Sequence, residues 1–270
     1  MPGQKLGQHW LADHHELEKI SSFLRLKNDE SCIEIGGGKG ALSKLIAKDC
    51  KRLIIYEIDS KWSDHLREHS PKWGDNILIR ETDALQIRWD RDSLGIENNE
   101  PLVITGNIPY YITSPLFLSL AYSTLDFDRA IFLIQKEVAE RICAKHGDSE
   151  YSRLTVSLGA FLITEILSDV PPEAFKPPPK VMSSVISMVR HDEPLVPLNL
   201  VDLFERLVKQ SFHMRRKMLR NNLKSAFPEL NNSDILSLLA EAGIQREARP
   251  QEVSVESYVK LAELINVKSK

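Results

Sequence analysis

Four residues near the middle of the chain, Asn107-Ile108-Pro109-Tyr110, bring together a side-chain amide, a turn-fixing proline and an aromatic ring. That combination suits the transfer of a group to an aromatic amine. The N6 nitrogen of adenine is a poor nucleophile because its lone pair is delocalised into the ring. An Asn oxygen and a neighbouring backbone carbonyl can each accept one N6–H. Those bonds favour the more pyramidal, nucleophilic nitrogen that develops during attack, which is differential stabilisation of the transition state. Pro109 fixes the turn and leaves carbonyls pointing into a site. Tyr110 offers a face on which a flipped base stacks, an interaction of about 1–3 kcal/mol. A plain proline turn after a strand needs the same residue types, so the reading depends on what accompanies them.

Three features accompany them. Glu34–Gly40 reads E-I-G-G-G-K-G between a strand pattern and a helix pattern, the context of a nucleotide-binding turn. Gly36, Gly38 and Ala41 satisfy the dinucleotide spacing G-x-G-x-x-A. Gly36, Gly38 and Gly40 equally satisfy the G-x-G-x-G of enzymes that use S-adenosylmethionine, and the loop alone leaves both open. Glu57 ends the second strand pattern, where a carboxylate can take both hydroxyls of a ribose or serve as a solvated or capping acid. Asp83, in E-T-D-A-L, follows the third; it can accept the exocyclic amine of a bound adenine or cap a helix. A dehydrogenase does not need this second acid. Three ligand-type features on successive strand ends favour a nucleotide-containing cofactor over an accidental turn.

These residues need a sheet to hold them. Ser31–Ile35, Arg52–Tyr56, Asn76–Arg80, Leu102–Thr105 and Ala130–Ile134 read as short buried strands, separated by helical segments such as Ala41–Lys48 and Lys61–Glu68. The alternation predicts an α/β fold with a doubly wound, mostly parallel sheet. Val170–Lys180 holds five prolines in eleven residues and excludes helix or central strand. Ser183–Arg190 alternates as one more strand. Residues 200–265 show helical periodicity alone. The predicted organisation is a first domain over 1–192 and a small all-α domain over 193–270.

The 270 residues, 42% hydrophobic and 27% charged, exclude global disorder, collagen and coiled coil. A net charge of -3 neither demands nor forbids a nucleic-acid partner. Three scattered cysteines without metal-ligand spacing fit a reducing cytoplasm. No signal peptide, membrane span or metal site is expected.

With its motifs taken in order, the chain resembles the ribosomal RNA adenine N6-dimethyltransferase family over nearly its whole length. The resemblance rests on Gln4–Leu11 (QKLGQHWL), Glu34–Gly40, Glu57-Ile58-Asp59, Asp83-Ala84 and Asn107–Tyr110. Gln135–Ile142, Tyr151–Val156, Pro171–Ser183 and Phe212–Leu223 extend it, the last two pointing to the branch that acts on 16S ribosomal RNA. It implies a Rossmann-like class I methyltransferase domain, S-adenosyl-L-methionine as cofactor, and two adjacent adenosines in a hairpin near the 3′ end of that RNA. It implies that Gly36 and Gly38 admit the methionine portion, Glu57 binds ribose, and Asp83 with Ala84 binds the cofactor adenine. Asn107 and the carbonyl of Pro109 would hold N6, Tyr110 would stack on the base, and Phe175 would take its other face or anchor its loop. His9 and Leu11 occupy cofactor-contacting positions. His9 stands where Asn is usual, so one cofactor hydrogen bond is altered or lost. Trp10 replaces Phe, Gly37 and Lys39 replace Pro and Leu, and Ser152 replaces Gly.

Arg206–Lys224 carries seven Lys or Arg residues and no acid across nineteen positions. Phe204, Leu207, Val208, Phe212, Leu219 and Leu223 give it an apolar stripe at helical spacing. It reads as one basic helix that contacts RNA phosphates through Arg215, Arg216, Lys217 and Arg220. The expected partner is 16S rRNA in the small subunit or its precursor, the expected state a cytoplasmic monomer. Competing readings are a 23S rRNA methyltransferase of the macrolide-resistance type, a non-catalytic assembly or nucleic-acid-binding factor, and an NAD-dependent dehydrogenase. The dehydrogenase leaves Asn107–Tyr110 and the basic segment without a role.

Overall fold

Buried β-branched runs separated by amphipathic segments must form parallel strands joined by helices. The structure, a computed structural model, describes residues 9–268; Gln4–Gln8 of the N-terminal signature lie outside the described residues. In chain order the elements are β1 (Trp10–Leu11), α1 (His14–Leu24), β2 (Ser31–Ile35), α2 (Ala41–Ile46), β3 (Arg52–Glu57), α3 (Ser60–His69), β4 (Ile77–Glu81), α4 (Arg91–Leu94), β5 (Leu102–Asn107), α5 (Thr113–Ala121) and β6 (Arg129–Gln135). There follow α6 (Lys136–Cys143), α7 (Arg153–Gly159), β7 (Leu162–Val170), β8 (Phe175–Lys176), β9 (Ser183–Arg190), α8 (Val201–Ser211), α9 (Leu219–Ala226), α10 (Asn232–Glu241) and α11 (Val255–Lys268). Among the described residues, no helix is long and apolar enough to cross a membrane.

Seven strands form one sheet in the order β4-β3-β2-β5-β6-β9-β7. The first five of these are mutually parallel, and β9 runs antiparallel to β6. The order reverses between β2 and β5, the topological switch point at which open α/β sheets bind ligands. The central strands are buried throughout because helices cover both faces. On one face Leu17, Ile20 and Leu24 of α1 join Cys32, Leu53, Ile55, Val103, Ile131 and Leu133 in the core. β1 and β8 form a separate two-stranded sheet, pairing Leu11 with Phe175 and Trp10 with Lys176. Sequence periodicity marked neither of these two-residue strands, nor the edge strand β7, whose charged Glu165 and Asp169 obscured it.

The chain forms two compact units. One comprises residues up to Ala139 with Thr164–Arg190; the other comprises Glu140–Ile163 with residues from His191 onward. The expected division at residue 193 assigned 140–163 to the first domain, whereas these residues, α7 among them, group with the C-terminal helices. Within that unit the Tyr151 hydroxyl donates to the Val253 carbonyl at 2.8 Å, and Gly147 N donates to the Gln251 carbonyl at 2.7 Å.

The single basic helix expected over Arg206–Lys224 is two helices. α8 ends at Ser211, a 3-10 turn spans Phe212–Met214, and α9 begins at Leu219. The cause is polar. The buried Asn222 amide donates to the carbonyls of Ser211 (2.6 Å), at the end of α8, and Met214 (3.2 Å), which also accepts Lys217 N at 2.9 Å. Leu219 N turns to the Ala248 carbonyl at 2.8 Å. The expected apolar stripe is kept, with Phe204, Leu207, Val208, Leu219 and Leu223 buried.

At the switch point Ile35 of β2 lies opposite Gly106 of β5. A Cβ on Gly106 would lie 2.4 Å from the Ile35 carbonyl oxygen, a backbone atom that no rotamer change can move. Gly106→Ala should therefore destabilise the first unit by about 1–3 kcal/mol, as overpacking does. A chemical-denaturation midpoint equal to that of the wild type would refute this.

Candidate active site

Because β2 to β5 are parallel, their carboxyl ends share one edge. Gly36 and Gly38 follow β2, Glu57 closes β3, Asp83 follows β4 and Asn107 closes β5. All five line one cavity of about 260 Å3, together with His9, Ala84, Pro109, Tyr110 and Phe175. Leu11 lines an adjoining cavity of about 210 Å3 that shares Trp10, Gly36 and Asn107 with the first. Every cavity residue expected from the sequence is thus brought to the same sheet edge.

Gly36 and Gly38 adopt left-handed backbone, with φ of 77° and 51°. A Cβ on Gly38 would come within 3.1 Å of the Trp10 indole, so the bare backbone lets the ring close over the loop. Glu57 is buried, and its carboxylate accepts Gly38 N at 2.8 Å and Asp59 N at 2.9 Å on different oxygens. Each carboxylate oxygen has two acceptor directions, so both retain one for a ligand hydroxyl. Asp83 accepts Leu85 N at 2.9 Å and caps the 3-10 turn Ala84–Gln86. Its capping role and its place on the cavity wall coexist; its other oxygen has no protein partner among the described residues. Tyr111, 62% exposed, also lines the cavity and was missed by the sequence reading. Partial burial, then the Asp83 and Glu57 charges, hold its phenol above the usual range.

Asn107 is oriented by the chain's N-terminal segment. Its amide nitrogen donates to the His9 carbonyl at 3.0 Å, which leaves the side-chain oxygen as acceptor. The His9 ring turns elsewhere, with Nδ1 donating to the Pro177 carbonyl at 2.8 Å. The Pro109 carbonyl differs from expectation. It accepts Ile112 N at 3.1 Å and the Thr113 hydroxyl at 3.3 Å, and so belongs to the start of α5. The carbonyl of Ile108, another cavity residue, has no hydrogen bond among the described residues. Tyr110 OH lies 3.4 Å from Ser183 Oγ. Phe175 is 2% exposed, packed in the core and exposed to the cavity at once.

The chain as a whole has known counterparts. The model of the family described as "Ribosomal RNA adenine dimethylase" matches residues 3–267. The chain belongs to the ribosomal RNA adenine dimethylase family. It is 36% identical to the Ribosomal RNA small subunit methyltransferase A of Shewanella loihica over 96% of this chain and 92% of that protein. The protein of the same name from Lactococcus lactis is 33% identical, over 97% and 89%. Among solved structures, a dimethyladenosine transferase from Plasmodium falciparum is similar with a TM-score of 0.83 and 27% identity, covering 97% of this chain and 98% of that one. The 23S rRNA methyltransferase ErmE is similar with a TM-score of 0.71 and 25% identity, over 95% and 99%. The fold is accordingly that of a Rossmann-like methyltransferase followed by helices.

The family's reaction concerns adenine in ribosomal RNA, so a basic surface is relevant. Arg215, Arg216 and Lys217 are exposed in the turn between α8 and α9, and Arg220 is half-buried in the first turn of α9. Arg215 also donates to the Ser149 carbonyl. Arg206, on the same stretch, is structural: it donates to the Ala226 carbonyl at 2.8 Å and lies 4.7 Å from the Phe227 ring centre.

Glu34 is the buried acid of the glycine motif, and it reaches the second cavity. Burial raises its pKa to about 7, the nearby Glu57 charge adds to this, and a 2.5 Å hydrogen bond from the Ser43 hydroxyl opposes it. Because the folded state holds this proton more tightly than the unfolded chain, Glu34 favours folding at low pH. That contribution falls as pH rises from about 4.5 to about 7. Glu34→Gln should remove the dependence, gaining on the order of 3 kcal/mol relative to the wild type between acid and mildly alkaline pH. Parallel Tm-against-pH curves for the two proteins would contradict it.

Proposed function

We propose that the protein transfers methyl groups from S-adenosyl-L-methionine to the N6 atoms of two adjacent adenosines in a hairpin near the 3′ end of 16S rRNA, giving N6,N6-dimethyladenosines. The observation that carries this is the Asn107 amide, fixed by His9 with its oxygen left as acceptor, on the same cavity wall as Glu57 and Asp83. The curated relatives carry the small ribosomal subunit in their names, which supports that substrate.

The residues present fit the cofactor. Two left-handed glycines leave backbone open for close approach. Glu57 keeps acceptors for ribose hydroxyls, and Asp83 keeps one oxygen for an exocyclic amine. Leu11 and Ala84 add apolar wall. Bound S-adenosylmethionine supplies a methyl carbon made electrophilic by its sulfonium.

The chain's own residues prepare the amine. A target adenosine leaves its stack at a cost of a few kcal/mol. Tyr110 and Phe175 offer rings to the extruded base. Asn107 Oδ1 accepts one N6–H. With the Pro109 oxygen committed to α5, the Ile108 carbonyl takes the second. In the first transfer the two bonds favour the nucleophilic nitrogen, which gives up one N6 proton to water as the methyl arrives. The monomethylated amine enters the second transfer with a single N6–H to be held, and in-line placement accounts for much of the acceleration. Arg215, Arg216, Lys217 and Arg220 contact phosphates of the same RNA, in the small subunit or its precursor. The enzyme works as a cytoplasmic monomer and needs no metal for this displacement.

Labelled S-adenosylmethionine given to unmodified small and large ribosomal subunits tests the assignment. Dimethyladenosine should appear in small-subunit RNA; label confined to the large subunit would instead indicate the resistance-type activity. Asn107→Ala should lower kcat at least about a hundredfold while affinity for S-adenosylhomocysteine stays within a few-fold. Equal loss of both would make Asn107 a cofactor ligand. Arg216→Glu with Arg220→Glu should lower the slope of log affinity against log salt by about 1–2. An unchanged slope would return this turn to ordinary solvated surface.

A further inference from the structure

Four aromatic rings run in a row from the cavity rim along α3. Trp10, which lines both cavities, meets Trp62 edge-on with centroids 5.4 Å apart. Trp62 meets His65 at 5.7 Å, and His65 stacks on His69 at 4.1 Å. Residues 62, 65 and 69 share one helix face. That face is not the one α3 turns to the core, which carries the buried Ser63 and Leu66. The rings are half-buried, so each keeps surface toward solvent.

Positive charge accompanies the row. Lys39 Nζ lies 4.5 Å from the Trp10 ring centre and 5.7 Å from that of Trp62, and Lys61 Nζ lies 5.1 Å from the Trp62 centre. Both lysines are exposed. The neighbouring acid Asp64 is paired with Arg67 at 2.9 Å, and the exposed Glu68, three residues after His65, is the acid that borders the row on this helix. Rings with exposed cations beside them are the chemistry of a single-stranded nucleic-acid platform, with bases on the faces and phosphates on the ammonium groups. A phosphate can draw either lysine off its ring and free the face. The row also extends too far to serve a ligand in the cavity, since Trp62 and His69 are separated by about 10 Å of helix.

We propose that Trp10, Trp62, His65 and His69, with Lys39 and Lys61, form a stacking platform for the RNA nucleotides that flank the extruded adenosine. The proposal rests on reading the adjoining cavity as the adenosine site. It assigns the first unit its own RNA surface, separate from the basic turn of the C-terminal helices.

Trp62→Ala tests it, because Trp62 lines neither cavity. Its KM for the unmodified small subunit should rise about tenfold, with kcat and the affinity for S-adenosylhomocysteine kept. A short mixed-sequence oligoribonucleotide should quench tryptophan fluorescence in the wild type, and Trp62→Ala should weaken that binding by a similar factor. Trp62→Phe, which keeps a ring, should restore most of both effects and thereby exclude a folding defect. Lys61→Ala should lower the salt slope of oligoribonucleotide binding by about 0.7. Unchanged KM and oligoribonucleotide affinity in Trp62→Ala would overturn the proposal. So would a loss of S-adenosylhomocysteine binding in step with RNA binding, which would make the row a cofactor cover. A wild type that binds the oligoribonucleotide through Trp62 but methylates neither subunit would uphold the platform and sink the catalytic reading.

Discussion

A buried carboxylate must find donors, and Glu57 finds them in the backbone of two loops at once. One oxygen holds Gly38 N in the turn after β2; the other holds Asp59 N in the turn after β3. The acid at the end of one strand therefore fixes the shape of the glycine loop on the next. With that loop fixed, Gly38 leaves room for Trp10, and Trp10 partitions the sheet edge into two cavities. Asn107 completes the wall from β5 and is itself held by the carbonyl next to Trp10. The contacts form a chain in which each group leans on the one before it, starting from a single desolvated charge.

Much of this was legible in sequence because it is local. Short β-branched runs between charges give parallel strands, and ligand-type residues cluster where such strands end. The bounds of β2 and β9 agree with the pattern residue for residue, while β3, β5 and β6 extend one or two positions beyond it. The places where reading by pattern failed are non-local. The pairing of β1 with β8 joins Leu11 to Phe175, and no periodicity can announce a two-residue strand. The basic stretch kept its apolar spacing across a break, because that break comes from a buried Asn222 whose partners lie eight and eleven residues away. The role expected for the Pro109 carbonyl depended on a hydrogen-bond count that only coordinates supply: two donors from the start of α5 already use it.

The polar groups buried in the first unit fall into two kinds. Glu30 and Arg129, at the amino-terminal edge of the sheet, are matched by two hydrogen bonds of 2.8–2.9 Å, and the carboxyl is held below its usual range. Glu34, beside the glycine loop, has a single hydroxyl donor and is held above its usual range. The acid far from the cavity is thus matched by a cation, whereas among the described residues Glu34 has none, and at the cavity edge only Glu57 is held by two backbone donors. This is the pattern expected where stability is given up to a binding surface.

The bond from Asn107 to the His9 carbonyl spans 98 positions, and that from His9 to the Pro177 carbonyl spans 168. The cavity wall at Asn107 is therefore stitched from the start, middle and far end of the first unit. During synthesis, the strands that carry Gly36, Glu57, Asp83 and Asn107 emerge long before Phe175 and Pro177 can reach them. Until residues 175–177 have been made, the pocket lacks one side. The complete pocket arrives as a late event in the life of the polypeptide, after most of its sheet has already been translated.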